Sequence, residues 1–345
     1  MPSFDDILRL YDYAVPAELV AQAPAAPRDA ARLLVHDRRT GTTTDASFRE
    51  IGNHLPPGAV LVINETKVIP ARLRLWRDTG GQAEVLLLGT AGGLLKAFAS
   101  RRLRPEERLC HGTEPLFEVA GENGKEWFLR PLFPLHELPA VLERFGEAPL
   151  PPYIRESPLS RTDLLREYQS VFAREPGSIA APTASLHFTE RLLEKLKRAG
   201  IGIVPVTLHV HLGTFAPLSE DRWKKGALHR EEYRIHPHAV AALEAAKTQG
   251  RPVIAVGTTV VRTLESAADA AGKIVRPSGT TNLFIREGHP FRVVDGLLTN
   301  FHVPRSSLLM LVAAFMGRGT MMDLYGHAVK ERYRFFSFGD AMLIL

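Results

Sequence analysis

From Gly177 to Thr189 the chain reads Gly-Ser-Ile-Ala-Ala-Pro-Thr-Ala-Ser-Leu-His-Phe-Thr, small and hydroxyl residues around Pro182 and His187. Small side chains let backbone approach a ligand, and an imidazole titrating near neutrality can serve as acid or base. A tight structural loop with a hydrogen-bonded histidine explains the same residues, and both readings stay open. Thr189 suits the N-cap of a helix carrying Leu192 and Leu193. A second constellation is Val253-Ile-Ala-Val-Gly-Thr-Thr-Val-Val-Arg-Thr-Leu-Glu. It reads as strand, Gly257-Thr258-Thr259 turn and helix, whose leading N–H groups favour a carboxylate or phosphate. It has neither the Gly-Lys of a phosphate-binding loop nor a dinucleotide fingerprint. Arg262 and Glu265, three apart on that helix, suit ligand contact or an ordinary surface pair.

Three further groups carry weaker signals. His209 and His211 fall on one face of a strand, as a metal pair would, but no third ligand is evident and no metal is expected. In Thr299-Asn-Phe-His-Val-Pro-Arg-Ser, the residues Asn300, His302, Arg305 and Ser306 suit a cleft, although Ser306 is also explained as a helix cap. Arg28, Arg32, Lys67 and Arg72 lie at predicted strand edges, where they suit phosphate contacts or simply a solvated face.

The elements that must position these residues fall into two textures. Between residues 59 and 130 short apolar runs recur with glycine-containing turns, as in a small β-barrel. Leu138 to Gly146 reads as a short helix closed by glycine, followed by the link Pro149-Leu-Pro-Pro-Tyr-Ile. Beyond it helices over 190–199, 237–249 and 260–271 alternate with strands over 202–210 and 251–257. The expected architecture is a three-layer α/β main domain built from both chain ends, residues 1–64 and 151–345, with an inserted all-β barrel over 65–150.

With 345 residues the chain exceeds one typical core, and 45% hydrophobic with 23% charged residues describes a folded protein. The single Cys110 excludes an intramolecular disulfide and disfavours structural zinc. An acidic opening segment and the lack of a long apolar run point to the cytoplasm without a membrane. A net charge of +5 is compatible with a polyanionic partner without requiring one.

In order and spacing these segments resemble the S-adenosylmethionine:tRNA ribosyltransferase-isomerases of the queuosine pathway. The resemblance runs from Tyr11-Asp-Tyr-Ala-Val-Pro-Ala-Glu-Leu to Tyr333-Arg-Phe-Phe-Ser-Phe-Gly-Asp. Between them lie Arg28-Asp, Arg32-Leu-Leu-Val, Leu61-Val-Ile-Asn-Glu-Thr-Lys-Val-Ile-Pro-Ala-Arg-Leu, Pro149-Leu-Pro-Pro-Tyr-Ile, Tyr168-Gln-Ser-Val-Phe-Ala, the Gly177 loop, Val256-Gly-Thr-Thr and Thr299-Asn-Phe-His-Val-Pro-Arg-Ser. The chain departs from the family at His211, where a glycine is usual, in Lys96-Ala-Phe-Ala-Ser-Arg-Arg, which lacks a tryptophan, and in Arg286-Glu-Gly-His-Pro.

The resemblance implies an α/β domain with an inserted barrel. The implied reaction moves the ribosyl part of S-adenosylmethionine, a co-substrate and not a resident cofactor, to 7-aminomethyl-7-deazaguanine at the tRNA wobble position. Epoxyqueuosine forms, with adenine and methionine released. His187 is the first candidate base, with His209 and His302 behind it. Thr183, Gly257, Thr258, Thr259, Arg262 and Glu265 are candidates for S-adenosylmethionine, and Arg28, Arg32, Lys67 and Arg72 for the anticodon loop of tRNA. A monomer or weak homo-oligomer is expected. Rival readings are a non-catalytic RNA-binding protein and an enzyme acting on free nucleosides.

Overall fold

The computed structural model describes residues 3–210 and 218–345, so His211 lies outside the described residues. Along the chain come α1 (Phe4–Arg9), β1 (Arg32–Asp37), β2 (Thr42–Ser47), β3 (Val60–Asn64) and β4 (Thr66–Val68). Next are β5 (Arg72–Arg77), β6 (Gln82–Ala91), β7 (Leu94–Ala99), β8 (Arg108–His111), β9 (Glu114–Asn123), β10 (Glu126–Pro131), α2 (Leu138–Phe145) and α3 (Arg161–Glu167). Then follow β11 (Glu175–Ser178), α4 (Glu190–Arg198), β12 (Gly202–Leu208), α5 (Glu220–Lys225), β13 (Ala227–Arg234), α6 (Pro237–Thr248), β14 (Val253–Val256) and α7 (Thr258–Ala267). The chain ends with β15 (Ser278–Leu283), β16 (Gly296–Asn300), α8 (Ser307–Met316), α9 (Arg318–Lys330) and β17 (Ala341–Ile344).

Two compact units result. One comprises Met1–Lys67, Pro151–Leu159 and Gln169–Leu345; the other comprises Val68–Leu150 and Ser160–Tyr168. The first unit is organised by a nine-stranded sheet of order β15-β13-β12-β3-β14-β16-β17-β1-β2. Its centre, β12, β3, β14 and β16, is parallel. A parallel strand is covered on both faces, and Val-Leu-Val-Ile-Asn of β3 is accordingly buried throughout. Alternate residues feed two cores: Val60 and Val62 face one, with α6 to α9, while Leu61 and Ile63 face the other, with Leu192 and Leu196 of α4. Helix, sheet and helix make the three layers of an α/β fold. Among the described residues no single helix is long and apolar enough to cross a membrane.

The second unit is a closed six-stranded barrel of order β10-β7-β6-β5-β8-β9, with antiparallel neighbours. Its strands alternate as a barrel requires: Leu73 and Leu75 of β5 point into the core, while Arg74 and Trp76 point out. β8 escaped the sequence reading because it offers only Leu109 to the core. Gly146 follows α2 with an ordinary φ of −75°, so it is not a left-handed stop. It is glycine because a Cβ there would lie 2.0 Å from the Pro70 carbonyl oxygen. α3 returns to this unit beyond the proline link, and Arg161 donates to the Gly146 carbonyl at 2.9 Å.

Candidate active site

At the C-terminal ends of the central parallel strands a cavity of about 410 Å³ opens in the α/β unit. That edge is where open α/β sheets bind ligands, and the size suits a small molecule. Ala181–Ala184 of the Gly177 loop form one wall, Gly257–Thr259 a second, and Thr299–Ser306 a third. Tyr153 of the proline link and Phe336-Ser337 of the tail complete it.

Each wall is held by chemistry specific to its residues. Ser178 Oγ accepts from Val210 N at 2.8 Å and donates to Ala180 O at 2.9 Å, fastening the loop to the end of β12. Gly177 takes φ +146°, and a Cβ there would stand 3.0 Å from the ring of His209, so the loop begins with the one residue that fits. Thr189 caps α4 as expected, accepting from Leu192 N at 3.2 Å, and donates to buried Asp29. Gly257 enters α7 at φ +94°, where an added Cβ would sit 3.8 Å from that of Ala184. Ser306 caps α8 by accepting from Leu309 N at 3.2 Å. Two helix N-termini, of α7 and α8, therefore open on one cavity, and their leading N–H groups lack partners within the helices.

The walls are largely apolar, and the rings of Tyr153 and Phe336 lie 4.9 Å apart, centroid to centroid. Among the described residues no carboxylate lines the cavity. Arg305, the one lysine or arginine among its described lining residues, is held by Asp12 at the rim. Tyr153 Oη and Ser337 Oγ share a hydrogen bond of 2.7 Å.

The three candidate histidines are not brought together. His302 lines the cavity: its Nε2 and Thr299 Oγ1 are 2.7 Å apart, its N donates to Tyr325 Oη at 3.0 Å, and its carbonyl accepts from Tyr13. Burial pushes its imidazole down to about 3. His187 stands behind the wall, its Nε2 3.4 Å from Asn300 Nδ2 and its ring tilted against that of Phe48 with centroids 4.9 Å apart. Burial lowers it to about 4, opposed by Asp340 and assisted by Arg334 and Arg28. Both rings are neutral at pH 7. His209 does not line the cavity; its Nδ1 lies 2.9 Å from Thr66 Oγ1.

Thr183, Gly257, Thr258 and Thr259 all line the cavity, whereas Arg262 and Glu265 do not. The expectation for these two is corrected in both its forms. One and two turns along α7 they are buried, so they are neither ligand contacts nor a surface pair. Arg262 donates to Glu231 and to Leu283 O, and Glu265 accepts from the N–H groups of Arg292, Val293 and Val294. Three of the four candidate tRNA cations are likewise committed. Arg28 donates to Gln169 O, Arg32 reaches Glu331 O and Asp45 while covering the Tyr333 ring, and Arg72 of the barrel unit bonds Leu150 O and Glu84. Lys67 is exposed and has no polar side-chain partner among the described residues.

Sequence reasoning assigned no role to Asp29, Tyr153, Phe336 or Ser337. Their only signal was their place in the Arg28-Asp, Pro-Pro-Tyr-Ile and Phe-Phe-Ser-Phe blocks. Among the described residues no three His, Cys, Asp or Glu side chains are grouped to hold a metal ion.

An α/β sheet with a cavity opening at its parallel strand ends, in a chain that also carries a closed antiparallel barrel, defines a two-unit α/β protein with a small-molecule site. The profile of the queuosine biosynthesis protein family matches residues 8–344, and the chain belongs to that family. It is 49% identical over 337 residues to the S-adenosylmethionine:tRNA ribosyltransferase-isomerase of Rubrobacter xylanophilus, covering 97% of this chain and 96% of that one. The enzyme of the same name from Moorella thermoacetica is 48% identical over 344 residues, covering 97% and 98%. The crystal structure of the S-adenosylmethionine tRNA ribosyltransferase of Thermotoga maritima superposes with a TM-score of 0.57 at 35% identity, covering 97% of this chain and all of that one.

Proposed function

We propose that the cavity takes S-adenosylmethionine and that the chain moves its ribosyl part to 7-aminomethyl-7-deazaguanine at the wobble position of tRNA. The ribosyl group is isomerised to an epoxycyclopentanediol, and adenine and methionine leave. The observation that carries this reading is the cavity itself, aromatic and without a carboxylate among the described residues, in a chain that matches enzymes of that name along nearly its whole length. A sulfonium is a soft cation that aromatic faces attract, and Tyr153 and Phe336 present such faces. The methionine carboxylate suits the N-terminus of α7, with Thr183, Thr258 and Thr259 around it.

The sulfonium acidifies the ribose 5′ carbon, so the chemistry begins with a base. His302 is that base in our reading, since it borders the cavity, is neutral at pH 7 and shares a hydrogen bond with Thr299. Burial keeps the ring unprotonated at pH 7, so it is free to accept a proton from the carbon that the sulfonium acidifies. His187 acts through Asn300 as a positioning residue, and His209 supports the loop through Gly177. The α/β unit is the catalytic unit and receives the anticodon loop, with Lys67 among its phosphate contacts. The chain works in the cytoplasm as a monomer or weak homo-oligomer.

Adenine and methionine release, followed with and without tRNA carrying the 7-aminomethyl-7-deazaguanine base, tests the reading. Release only with that tRNA is expected. Release on free nucleoside alone, or none with the correct tRNA, overturns it.

A further inference from the structure

Two side-chain oxygens in the cavity wall are buried without a hydrogen-bond partner, Thr259 Oγ1 and Asn300 Oδ1. The residues are 7% and 2% exposed. A buried polar atom left unpaired is costly, and a site that binds a ligand is where such atoms find their partners. The orientation of Asn300 is fixed: its Nδ2 donates to Phe336 O at 3.1 Å, so the oxygen it presents is an acceptor only. Thr259 stands in the first turn of α7, beside N–H groups that lack partners within the helix.

These two features are neighbours. β14 and β16 pair in parallel with Val256 opposite Leu298, and Gly257 N donates to Leu298 O at 2.8 Å. The start of α7 and Asn300 thus leave adjacent strand ends, on the order of 5 Å apart. One end offers donors and a positive dipole, the other a fixed neutral acceptor, and no lining carboxylate competes among the described residues. That pairing matches an α-amino acid zwitterion, with its carboxylate on the donors and its ammonium on the acceptor.

We propose that Asn300 Oδ1 receives the α-ammonium, and that Thr259 Oγ1 with the first N–H groups of α7 receives the α-carboxylate, so that the cavity selects sulfonium nucleosides bearing an intact amino acid. The inference rests on the reading that the cavity takes S-adenosylmethionine.

Calorimetric titration of the full chain tests it with three ligands: S-adenosylmethionine, its deaminated analogue carrying a 3-carboxypropyl group on sulfur, and its decarboxylated analogue. Wild type should bind the deaminated analogue about tenfold or more weakly than S-adenosylmethionine. Asn300→Ala should weaken S-adenosylmethionine by a similar factor and leave the deaminated analogue unchanged. Thr259→Val should weaken S-adenosylmethionine and leave the decarboxylated analogue unchanged. Equal weakening of all ligands by either variant overturns the clamp, as does equal wild-type affinity for S-adenosylmethionine and the deaminated analogue. If Asn300→Ala does not fold, the wild-type ligand series and Thr259→Val decide. Wild type that binds the analogues but not S-adenosylmethionine also overturns the clamp; wild type that binds none of the three overturns the underlying reading of the cavity as well.

Discussion

The two units differ most in charge. Of 43 Lys and Arg, 13 fall in the barrel unit, matched there by 13 of the 38 Asp and Glu; the α/β unit holds the other 30 against 25. The whole net charge of +5 therefore resides on the unit that bears the cavity. The barrel's cations are also locally compensated, as in Arg74–Glu147, Arg77–Glu107, Arg130–Glu118 and Arg144–Glu114. A neutral, internally paired surface gives little long-range attraction for a polyanion, whereas a net positive one does. The difference places the net positive field on the unit that holds the small-molecule cavity, and on the proposed reading it is that unit, and not the neutral barrel, that draws in nucleic acid.

Four predictions test that division. The largest effect is expected from His302→Ala, which should lower single-turnover adenine release about 100- to 10,000-fold while S-adenosylmethionine still binds. His187→Ala should cost less, because its ring acts behind Asn300. Outward-facing barrel residues such as Trp76 should leave the rate within a few fold. Near-normal release by His302→Ala would place the base elsewhere.

Acid should separate the units next. His187 and His302 are held neutral by burial, at about 4 and about 3 against 6.5 for the free side chain. A folded pKa below the unfolded one means that protons bind the unfolded state first, so stability is complete above pH 6.5 and falls as pH drops towards 4. By pH 4.5 each histidine should have withdrawn on the order of 2 to 3 kcal/mol from the α/β unit. In the barrel, burial raises the Glu107 carboxyl, but hydrogen bonds from Thr79, Arg77 and the Arg104 N–H prevail and hold it below 4.5. That stabilisation is present above pH 4.5 and is lost only below it. Amide exchange at pH 5 should therefore show the α/β core opening before the barrel; the reverse order would contradict the division.

Removing that carboxylate inverts the test. Glu107→Ala leaves Arg77 partly buried without its partner and should destabilise the barrel by about 3 kcal/mol in urea denaturation. S-adenosylmethionine affinity of the α/β unit should stay unchanged, and a parallel loss of affinity would show the units to be coupled.

Much of this contrast is written locally in the sequence. The uninterrupted Val-Leu-Val-Ile of β3 and the in-out pattern of Arg72-Leu-Arg-Leu-Trp announce a doubly covered sheet and a barrel wall, because burial of both faces or of one leaves a different period. The Gly177 loop and the Gly257 turn were legible as places where backbone could approach a ligand, because small residues and helix starts have a local chemistry, but the sequence left a purely structural loop equally open at Gly177. What was not legible depended on distance. Arg262 meets Glu231, 31 residues away, and no spacing on α7 foretells that partner. The residue type of His187 suggested chemistry, but its depth behind Asn300 follows from strands that only the fold assembles. Tyr153 and Phe336 face each other across 183 positions and became a cavity wall only when the tail returned to the link.

The smallest effect is also the most direct test of the charge contrast. If phosphates are held by the α/β unit, Lys67→Ala should reduce the slope of log affinity for tRNA against log salt by about 0.7 to 0.9, the share of one released counterion. Arg101→Ala removes an exposed charge from the barrel and should leave that slope unchanged. Affinity at a single salt concentration cannot make the distinction, because loss of packing lowers it too without releasing ions. Equal changes of slope for the two variants would mean that the barrel, though neutral as a whole, sets individual cations on the tRNA backbone, and the assignment of nucleic-acid attraction to one unit would fail.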